Sequence, residues 1–227
     1  MKKIIALTGQ AGAGKDTLAK LIMENVPLTG SESDYWVKMS FASHLKDVVS
    51  LLFYMDRDML EGVTPEDRAK REEPDEFWSA KMGKNFTPRH ALQFIGTDLL
   101  RNQLHKNIWV DCLERKIDQC ESNVIVTDVR FKNEITMLRN KGAMFVRMEF
   151  DKKPYYWDVM YKHNLFEPLT DQEKKKFEEI SQTVHPSETD WIGIDNPTYT
   201  FTHKDSIDLL KKDLYESDLW KWILNKE

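Results

Sequence analysis

The sequence predicts an α/β fold, with about five parallel strands in one sheet and helices on both faces. Two observations support this prediction. Short apolar runs alternate along the chain with segments of helical periodicity, which is the order of strand–helix–strand units. A glycine-rich loop also joins the first apolar run to the first helical segment, so the first strand leads directly into a helix.

Five apolar runs are the predicted strands. Each is too short for a helix, and most are bounded by glycine, proline or polar residues. The third run is strongly apolar, as expected for a central strand that is buried on both faces. The runs are KIIALTG at 3–9, WVKMSF at 36–41, NVIVTD at 123–128, AMFVRMEF at 143–150 and TYTFT at 198–202.

Helical periodicity occurs after each predicted strand. Apolar side chains recur three and four positions apart, which places them on one face of a helix. Gly142 stops the helix that precedes the fourth strand, and Asp205 or Ser206 caps the last helix. The predicted helices cover 15–25, 42–55, 88 to about 104, 109–120, 131–142, 171–182 and 205–224.

Two insertions are predicted within a single domain of 227 residues, at about 56–121 and about 151–191. The first begins with a charged stretch, 56–87, that contains Pro65 and Pro74. This composition predicts short helices or mobile loop rather than core. The second insertion is polar and aromatic, and we expect it to act as a lid.

Composition excludes several classes of protein. Hydrophobic residues are 41% and charged residues 31% of the chain, which is typical of a globular protein. The net charge of -5 gives no reason to bind a nucleic-acid polymer, and no apolar run is long enough to span a membrane. Cys112 and Cys120 form neither a disulfide framework nor a metal-ligand spacing. We therefore expect a cytoplasmic protein that acts on small molecules, as a monomer or a homodimer.

The loop GQAGAGKDT nearly matches the phosphate-binding pattern G-x-x-x-x-G-K-[ST]. Its glycines let backbone N–H groups converge on an anion, and the helix N-terminus adds partial positive charge. Lys15 would reach the β and γ phosphates of ATP. A plain glycine-rich turn is the alternative. The predicted ATP site comprises Gly9, Ala11, Gly12, Ala13, Gly14, Lys15, Asp16 and Thr17.

Asp16 departs from this pattern, because a Ser or Thr hydroxyl usually coordinates Mg²⁺ at its position. A carboxylate is also a good Mg²⁺ ligand, provided that the metal lies between it and the polyphosphate. Thr17 keeps a hydroxyl one residue later. The alternative is that Asp16 only stabilises the first turn of the helix through the helix dipole.

Asp128 and Arg130 follow the third predicted strand. Asp128 would hold the water shell of Mg²⁺ if that strand lies beside the first. Arg130 would stabilise the charge of the transferred phosphoryl group. Alternatively, Asp128 is only an acidic residue of the turn that ends the strand, and Arg130 is a surface arginine paired with Glu134.

The stretch TPRHALQFIGTDLLRNQLHKNIWV contains candidates for binding a second substrate. Arg89 and Gln93 lie four positions apart on one helix face and suit a phosphate and a nucleobase edge. Gly-Thr-Asp at 96–98 would interrupt or kink the helix, and Trp109 would offer a stacking surface. A surface arginine, a solvated amide and a core tryptophan are the alternatives.

Together these motifs resemble the phage-type deoxynucleoside monophosphate kinases, which belong to the adenylate-kinase-like P-loop group. The resemblance covers most of the chain and is carried by GQAGAGKDT, LQFIGTDLLRN with WV downstream, TDVRFKNE and HPSE at 185–188. It implies a P-loop kinase fold and transfer of the γ-phosphoryl group of ATP to a deoxynucleoside 5′-monophosphate, with Mg²⁺. The location would be a host cytoplasm if a virus encodes the protein.

The resemblance also implies roles for individual residues. Lys15, Asp128 and Arg130 would be catalytic, and Asp16 with Asp128 would hold the metal. The segments 56–87 and 151–182 match the family poorly, so the preferred base is not predicted. The acceptor site would comprise Lys46, Arg89, Gln93, Gly96, Thr97, Asp98, Trp109, Arg130, Glu134, His185 and Glu188.

Two other functions stay open at this point. Animal-type phosphomevalonate kinases share a GKD loop, so another small phosphorylated acceptor is one alternative. A regulatory protein that binds ATP without transferring phosphate is the other. The IGTDL stretch and Gln93 favour a nucleotide acceptor, while Arg89 and Arg130 would be unused charges in a pure sensor.

Overall fold

A computed structural model describes residues 2–27 and 35–224. The chain divides into two compact units. Met1–Ser40 and Ile117–Glu227 form what we call the sheet unit, and Phe41–Lys116 form the helical unit. The helical unit includes most of the first predicted insertion.

The sheet unit contains one five-stranded parallel sheet, which confirms the predicted fold class. Its strand order is β2-β3-β1-β4-β5, so β1 lies at the centre and pairs with β3 and β4. β1 and β3 are buried along their whole length, which explains their continuous apolar sequences. The strands are β1 (Ile4–Gly9), β2 (Trp36–Met39), β3 (Asn123–Val126), β4 (Met144–Glu149) and β5 (Tyr199–Thr202).

The helices occur in the intervals between and after the strands. In chain order they are α1 (Lys15–Asn25), α2 (Ser43–Phe53), α3 (Arg57–Glu61), α4 (Pro65–Lys70), α5 (Glu76–Met82), α6 (Pro88–Gln93), a π-helix (Phe94–Leu104), α7 (Ile108–Gln119), α8 (Lys132–Asn140), α9 (Trp157–Asn164), α10 (Asp171–Thr183), α11 (Pro186–Thr189), α12 (Ile207–Glu216) and α13 (Asp218–Ile223). None of the helices in the described residues is long and apolar enough to cross a membrane.

In the core of the sheet unit, the sheet packs against α1, α12 and α13. Leu18 and Ile22 of α1 and Leu210 of α12 belong to the same buried cluster as the apolar residues of β1. The last helix was predicted as one element and is two. Ser217 separates α12 from α13, because its hydroxyl caps the second helix by accepting the N–H of Trp220 at 3.2 Å.

The helical unit has a hydrophobic core of its own. The prediction that 56–87 would not contribute to a core is therefore wrong, since Leu60 is 0% and Phe86 5% exposed. The predicted short helices do occur there. Pro65 starts α4 rather than interrupting a helix, because Thr64 forms a capping box in front of it.

The long helix predicted from Pro88 to Leu104 changes its winding after Gln93. The residues that follow form a π-helix, and the N–H of His105 accordingly donates to the carbonyl of Leu100, five positions back, at 2.9 Å. The interruption expected near Gly96 is thus present as a change of helix type. Such windings are rare and often occur at functional sites.

Candidate functional site

The glycine-rich loop has a backbone conformation that ordinary residues rarely adopt. Gly9 ends β1 with φ 128° and Gly14 precedes α1 with φ 97°. A Cβ on Gly9 would also collide with the carbonyl oxygen of Met148 in β4. The loop therefore turns directly from the central strand into α1, and its shape depends on glycine.

Lys15 is the first residue of α1, and its side chain folds back along the loop. It is only 7% exposed, and its Nζ donates to the carbonyls of Gly9 at 2.8 Å and Gln10 at 2.7 Å. The pKa of Lys15 is lowered to about 8, mainly by burial and next by the nearby Arg130 guanidinium. The result is a cation that the protein holds in place at the start of the helix.

Arg130 brings a second cation close to Lys15. Its Nη1 donates to Oε1 of Glu188 at 2.8 Å. The carboxylates of Glu188, Asp16 and Asp128 act on Lys15 in the opposite direction and raise its pKa. Five of the predicted site residues are thus gathered around one point at the carboxyl edge of the sheet.

Glu134 was predicted to bind substrate, but its carboxylate is used to shape the backbone. It is 4% exposed, and its Oε2 accepts the N–H groups of Arg130 at 2.8 Å and Phe131 at 3.1 Å. These bonds fix the turn between β3 and α8. Glu134 therefore orients the backbone at Arg130. This role takes the place of the direct contact with substrate that was predicted for Glu134.

Asp16 and Asp128 are a donor set that suits Mg²⁺. The side chain of Asp16 is exposed and pairs with Nζ of Lys38 at 3.3 Å, and Asp128 follows the end of β3. Within 2–27 and 35–224 no group of three or more His, Cys, Asp or Glu could hold a metal. Mg²⁺ in phosphate sites is commonly held by one or two carboxylates and the substrate oxygens, so two carboxylates fit.

His185 precedes the short helix α11, and Glu188 lies within it. The ring Nδ1 of His185 accepts the N–H of Ser187 at 3.2 Å, so the exposed histidine caps this helix. Glu188 binds Arg130, as described above. Tyr156 was not predicted from the sequence, yet it lies close enough for Glu188 to raise its pKa, after burial as the main cause.

A buried ion pair supports the strand that carries the loop. The hydroxyl of Thr8 donates to Oδ2 of Asp195 at 2.7 Å, and Nε of Arg147 donates to the same oxygen at 2.9 Å. Asp195 is fully buried. Sequence reasoning missed this group, although an arginine inside the apolar strand MFVRME was a signal that a buried acid must exist.

In the helical unit, most of the polar residues among the predicted acceptor residues are exposed. Arg89 and Gln93 are exposed in α6, and Arg89 forms an ion pair with Glu72. Lys46 of α2 pairs with Oε1 of Glu61 at 3.0 Å. Thr97 and Asp98 are exposed on the π-helix, as a ligand site requires.

Trp109 does not provide the predicted stacking surface. Its ring is 5% exposed, and its Nε1 donates to the carbonyl of Gly96 at 2.9 Å. A buried ring has no free face for a nucleobase. Trp109 is therefore a core residue that ties α7 to the π-helix. Gly96 is buried as well, and a Cβ there would lie 2.7 Å from Cδ2 of Leu45.

Comparisons with known proteins point to one group. Residues 68–159 match the family described as deoxynucleotide monophosphate kinase. A putative deoxynucleotide monophosphate kinase of Acanthamoeba polyphaga mimivirus is 29% identical, over 64% of this chain and 73% of that protein. The deoxynucleoside-5′-monophosphate kinase of Escherichia phage T5 is 29% identical, over 63% of this chain and 74% of that protein. The resemblance predicted from the sequence is confirmed.

Among solved structures, an unliganded sugar kinase from Janibacter sp. HTCC2649 is similar over 95% of this chain and 93% of its own. The identity is 12% and the TM-score 0.36. A similarity this weak informs neither the fold nor the chemistry.

Proposed function

We propose that this chain, which resembles the deoxynucleotide monophosphate kinases, transfers the γ-phosphoryl group of ATP to a deoxynucleoside 5′-monophosphate. The products would be ADP and the deoxynucleoside diphosphate. One observation carries the proposal. Lys15 is held at the start of α1 by the glycine loop, with Arg130 and three carboxylates around it, which is the charge arrangement that phosphoryl transfer needs.

Each residue of the sheet unit would have a separate task. The loop N–H groups and Lys15 would bind the ATP phosphates, and Arg130 would stabilise charge on the group in transfer. Glu134 would keep Arg130 oriented through its backbone. Mg²⁺, held by Asp16 and Asp128, would supply further neutralisation of phosphate charge. Positioning and neutralisation suffice for this reaction, so no nucleophilic side chain is required.

The helical unit would hold the acceptor. Arg89 suits its phosphate and Gln93 suits a base edge, while Thr97 and Asp98 offer further hydrogen bonds. The segment 151–191 would act as a lid that excludes water and prevents loss of ATP by hydrolysis. The cytoplasm, where these nucleotides occur, is the compartment that this activity predicts, and a homodimer remains a prediction.

The alternatives are less well supported. A phosphomevalonate kinase and a non-catalytic ATP sensor would share the glycine loop, but the matches of this chain are to proteins named as nucleotide kinases. A sensor would also gain nothing from Arg130 beside Lys15.

The proposal is tested by measuring ADP formation from ATP and Mg²⁺ with dTMP, dGMP, dCMP, dAMP or phosphomevalonate as the added acceptor. We expect at least one deoxynucleoside monophosphate to stimulate ADP formation. Stimulation by phosphomevalonate alone would contradict the nucleotide acceptor. ATP binding without any acceptor-dependent turnover would favour the sensor.

A further inference from the structure

Arg71 is a cation of the helical unit that sequence reasoning did not select. It follows α4, and its guanidinium is partly buried. Its Nη1 donates to the carbonyl of Leu60 through a long bond of 3.4 Å. Its Nε is buried and has no hydrogen-bond partner within the part of the chain that the structure describes. A buried guanidinium donor without an acceptor is costly, so an acceptor is expected from outside.

The carboxylates near Arg71 are engaged with other cations. Glu61 binds Lys46 at 3.0 Å and Arg57 at 2.8 Å, and these contacts lower the pKa of Glu61 to about 2 despite its partial burial. Glu72 binds Arg89. Across 2–27 and 35–224, no ion pair joins Arg71 to a carboxylate.

Arg89 is held next to Arg71 through the backbone. The N–H of Arg89 donates to the carbonyl of Arg71 at 3.0 Å. Burial lowers the pKa of Arg71, and the charge of Arg89 is the next largest cause. Two guanidinium groups placed side by side repel each other, and an anion shared between them removes that repulsion.

The guanidinium of Arg71 is also fixed by packing. It lies over Gly62, where a Cβ would be 2.5 Å from Cζ of Arg71. Gly62 has φ 68°, so both the backbone and the available space favour glycine there. Arg71 is thus partly enclosed by the backbone of its own unit, whereas the side chain of Arg89 is half exposed and joined to an equally exposed Glu72.

We propose that Arg71 and Arg89 together form the site for the 5′-phosphate of the acceptor, with Arg71 as its fixed anchor. This inference rests on the proposed function and adds a residue to it. Each guanidinium presents a planar fork that matches two phosphate oxygens. On binding, Arg89 exchanges the exposed Glu72 for the phosphate, and the buried Nε of Arg71 gains its acceptor.

The test compares Arg71→Met with Lys70→Met, a control that removes one positive charge at the neighbouring exposed position, where Lys70 pairs with Glu66 at 3.0 Å. The acceptor is whichever deoxynucleoside monophosphate the wild type uses. For Arg71→Met we expect the acceptor KM to rise about 10- to 100-fold. The ATP KM should be unchanged, and so should inhibition by the matching deoxynucleoside, which lacks the phosphate. Lys70→Met should behave as wild type.

Two results would overturn the inference. One is an acceptor KM for Arg71→Met within about threefold of wild type. The other is an equal weakening of the monophosphate and the nucleoside, which would mean that Arg71 only supports the fold. If Arg71→Met does not fold, Arg71→Lys decides. The lysine keeps the positive charge but lacks the paired N–H donors of a guanidinium. We therefore expect the acceptor KM to rise by about tenfold, with inhibition by the nucleoside unchanged.

Failure of the proposed function would be visible separately, as wild-type enzyme that transfers phosphate to no deoxynucleoside monophosphate. In that case binding of inorganic phosphate is measured by calorimetry. Binding by wild type that Arg71→Met abolishes would uphold the anion site. No binding by wild type, or equal binding by both proteins, would reject it.

Discussion

The sheet unit and the helical unit hold their cations differently. In the sheet unit Lys15 donates to two carbonyls, and Arg130 has Glu188 as a partner. In the helical unit Arg71 has a buried Nε without a partner among the described residues. We infer that the first arrangement is preorganised for a charge that develops during a reaction, whereas the second would be completed by a bound anion. We therefore expect mutations in the sheet unit to affect turnover and those in the helical unit to affect acceptor binding.

The largest expected effect comes from Lys15→Ala. It removes the buried cation at the loop, so kcat/KM should fall about 1,000-fold or more. Lys20→Ala is the matched control, because Lys20 is an exposed residue of the same helix that pairs only loosely with Glu24, at 3.7 Å. Steady-state kinetics on folded protein provide the measurement. Near-normal turnover of Lys15→Ala would refute the assignment of the loop.

Gly9→Ala tests whether the loop is held by the sheet. The added methyl group would meet the backbone of β4 at a residue with φ 128°, so we expect the free energy of unfolding to drop by about 4 kcal/mol or more. Gly83→Ala is the control in the helical unit. Its φ is 67° but no atom lies within 4 Å of the new methyl, so about 1–2 kcal/mol is expected. Equal losses in thermal unfolding would contradict a loop fixed by β4.

The pH dependence of ATP use reports on Lys15. Its pKa is lowered to about 8, so the side chain is charged below that pH and loses its proton above it. We expect kcat/KM for ATP to fall about tenfold per pH unit above this value. Glu188 raises the pKa of Lys15, and Glu188→Gln should therefore move the inflection to lower pH. A profile that is flat to pH 10 in both proteins would exclude Lys15 as the titrating group.

Trp109→Phe should have the smallest effect. It leaves the carbonyl of Gly96 without its indole donor, which destabilises the protein by about 1 kcal/mol. Because the ring is buried, the acceptor KM should not change. A raised acceptor KM with unchanged stability would contradict this. It would indicate that Trp109 contacts the acceptor, as the exposed residues of α6 are proposed to do.

The sequence predicted best what is encoded locally. The five strands follow from apolar runs, and the loop, Asp128 and Arg130 follow from motifs beside those strands. Contacts between distant positions were not predictable. Arg130 and Glu188 are 58 positions apart, and Arg147 and Asp195 are 48 apart. No local pattern specifies such pairs, although a buried charge implies that a partner exists.

The helical unit was harder to predict for a related reason. The charged stretch that contains Arg71 looked like a loop because its few apolar residues, such as Leu60 and Phe86, lie far apart in the chain. They meet only in the core that α2, α3 and α6 form together. Helical periodicity also does not distinguish an α-helix from the π-helix that begins at Phe94.

Transfer of a phosphoryl group from ATP to a deoxynucleoside monophosphate is the activity that we propose for this protein. Its most direct test is incubation of the protein with Mg²⁺, ATP labelled at the γ-phosphate and each deoxynucleoside monophosphate in turn. Chromatography then separates the labelled products. We expect label in the β-phosphate of a deoxynucleoside diphosphate with wild type and none with Lys15→Ala. Label found only in inorganic phosphate, or retained in ATP with every acceptor, would contradict it.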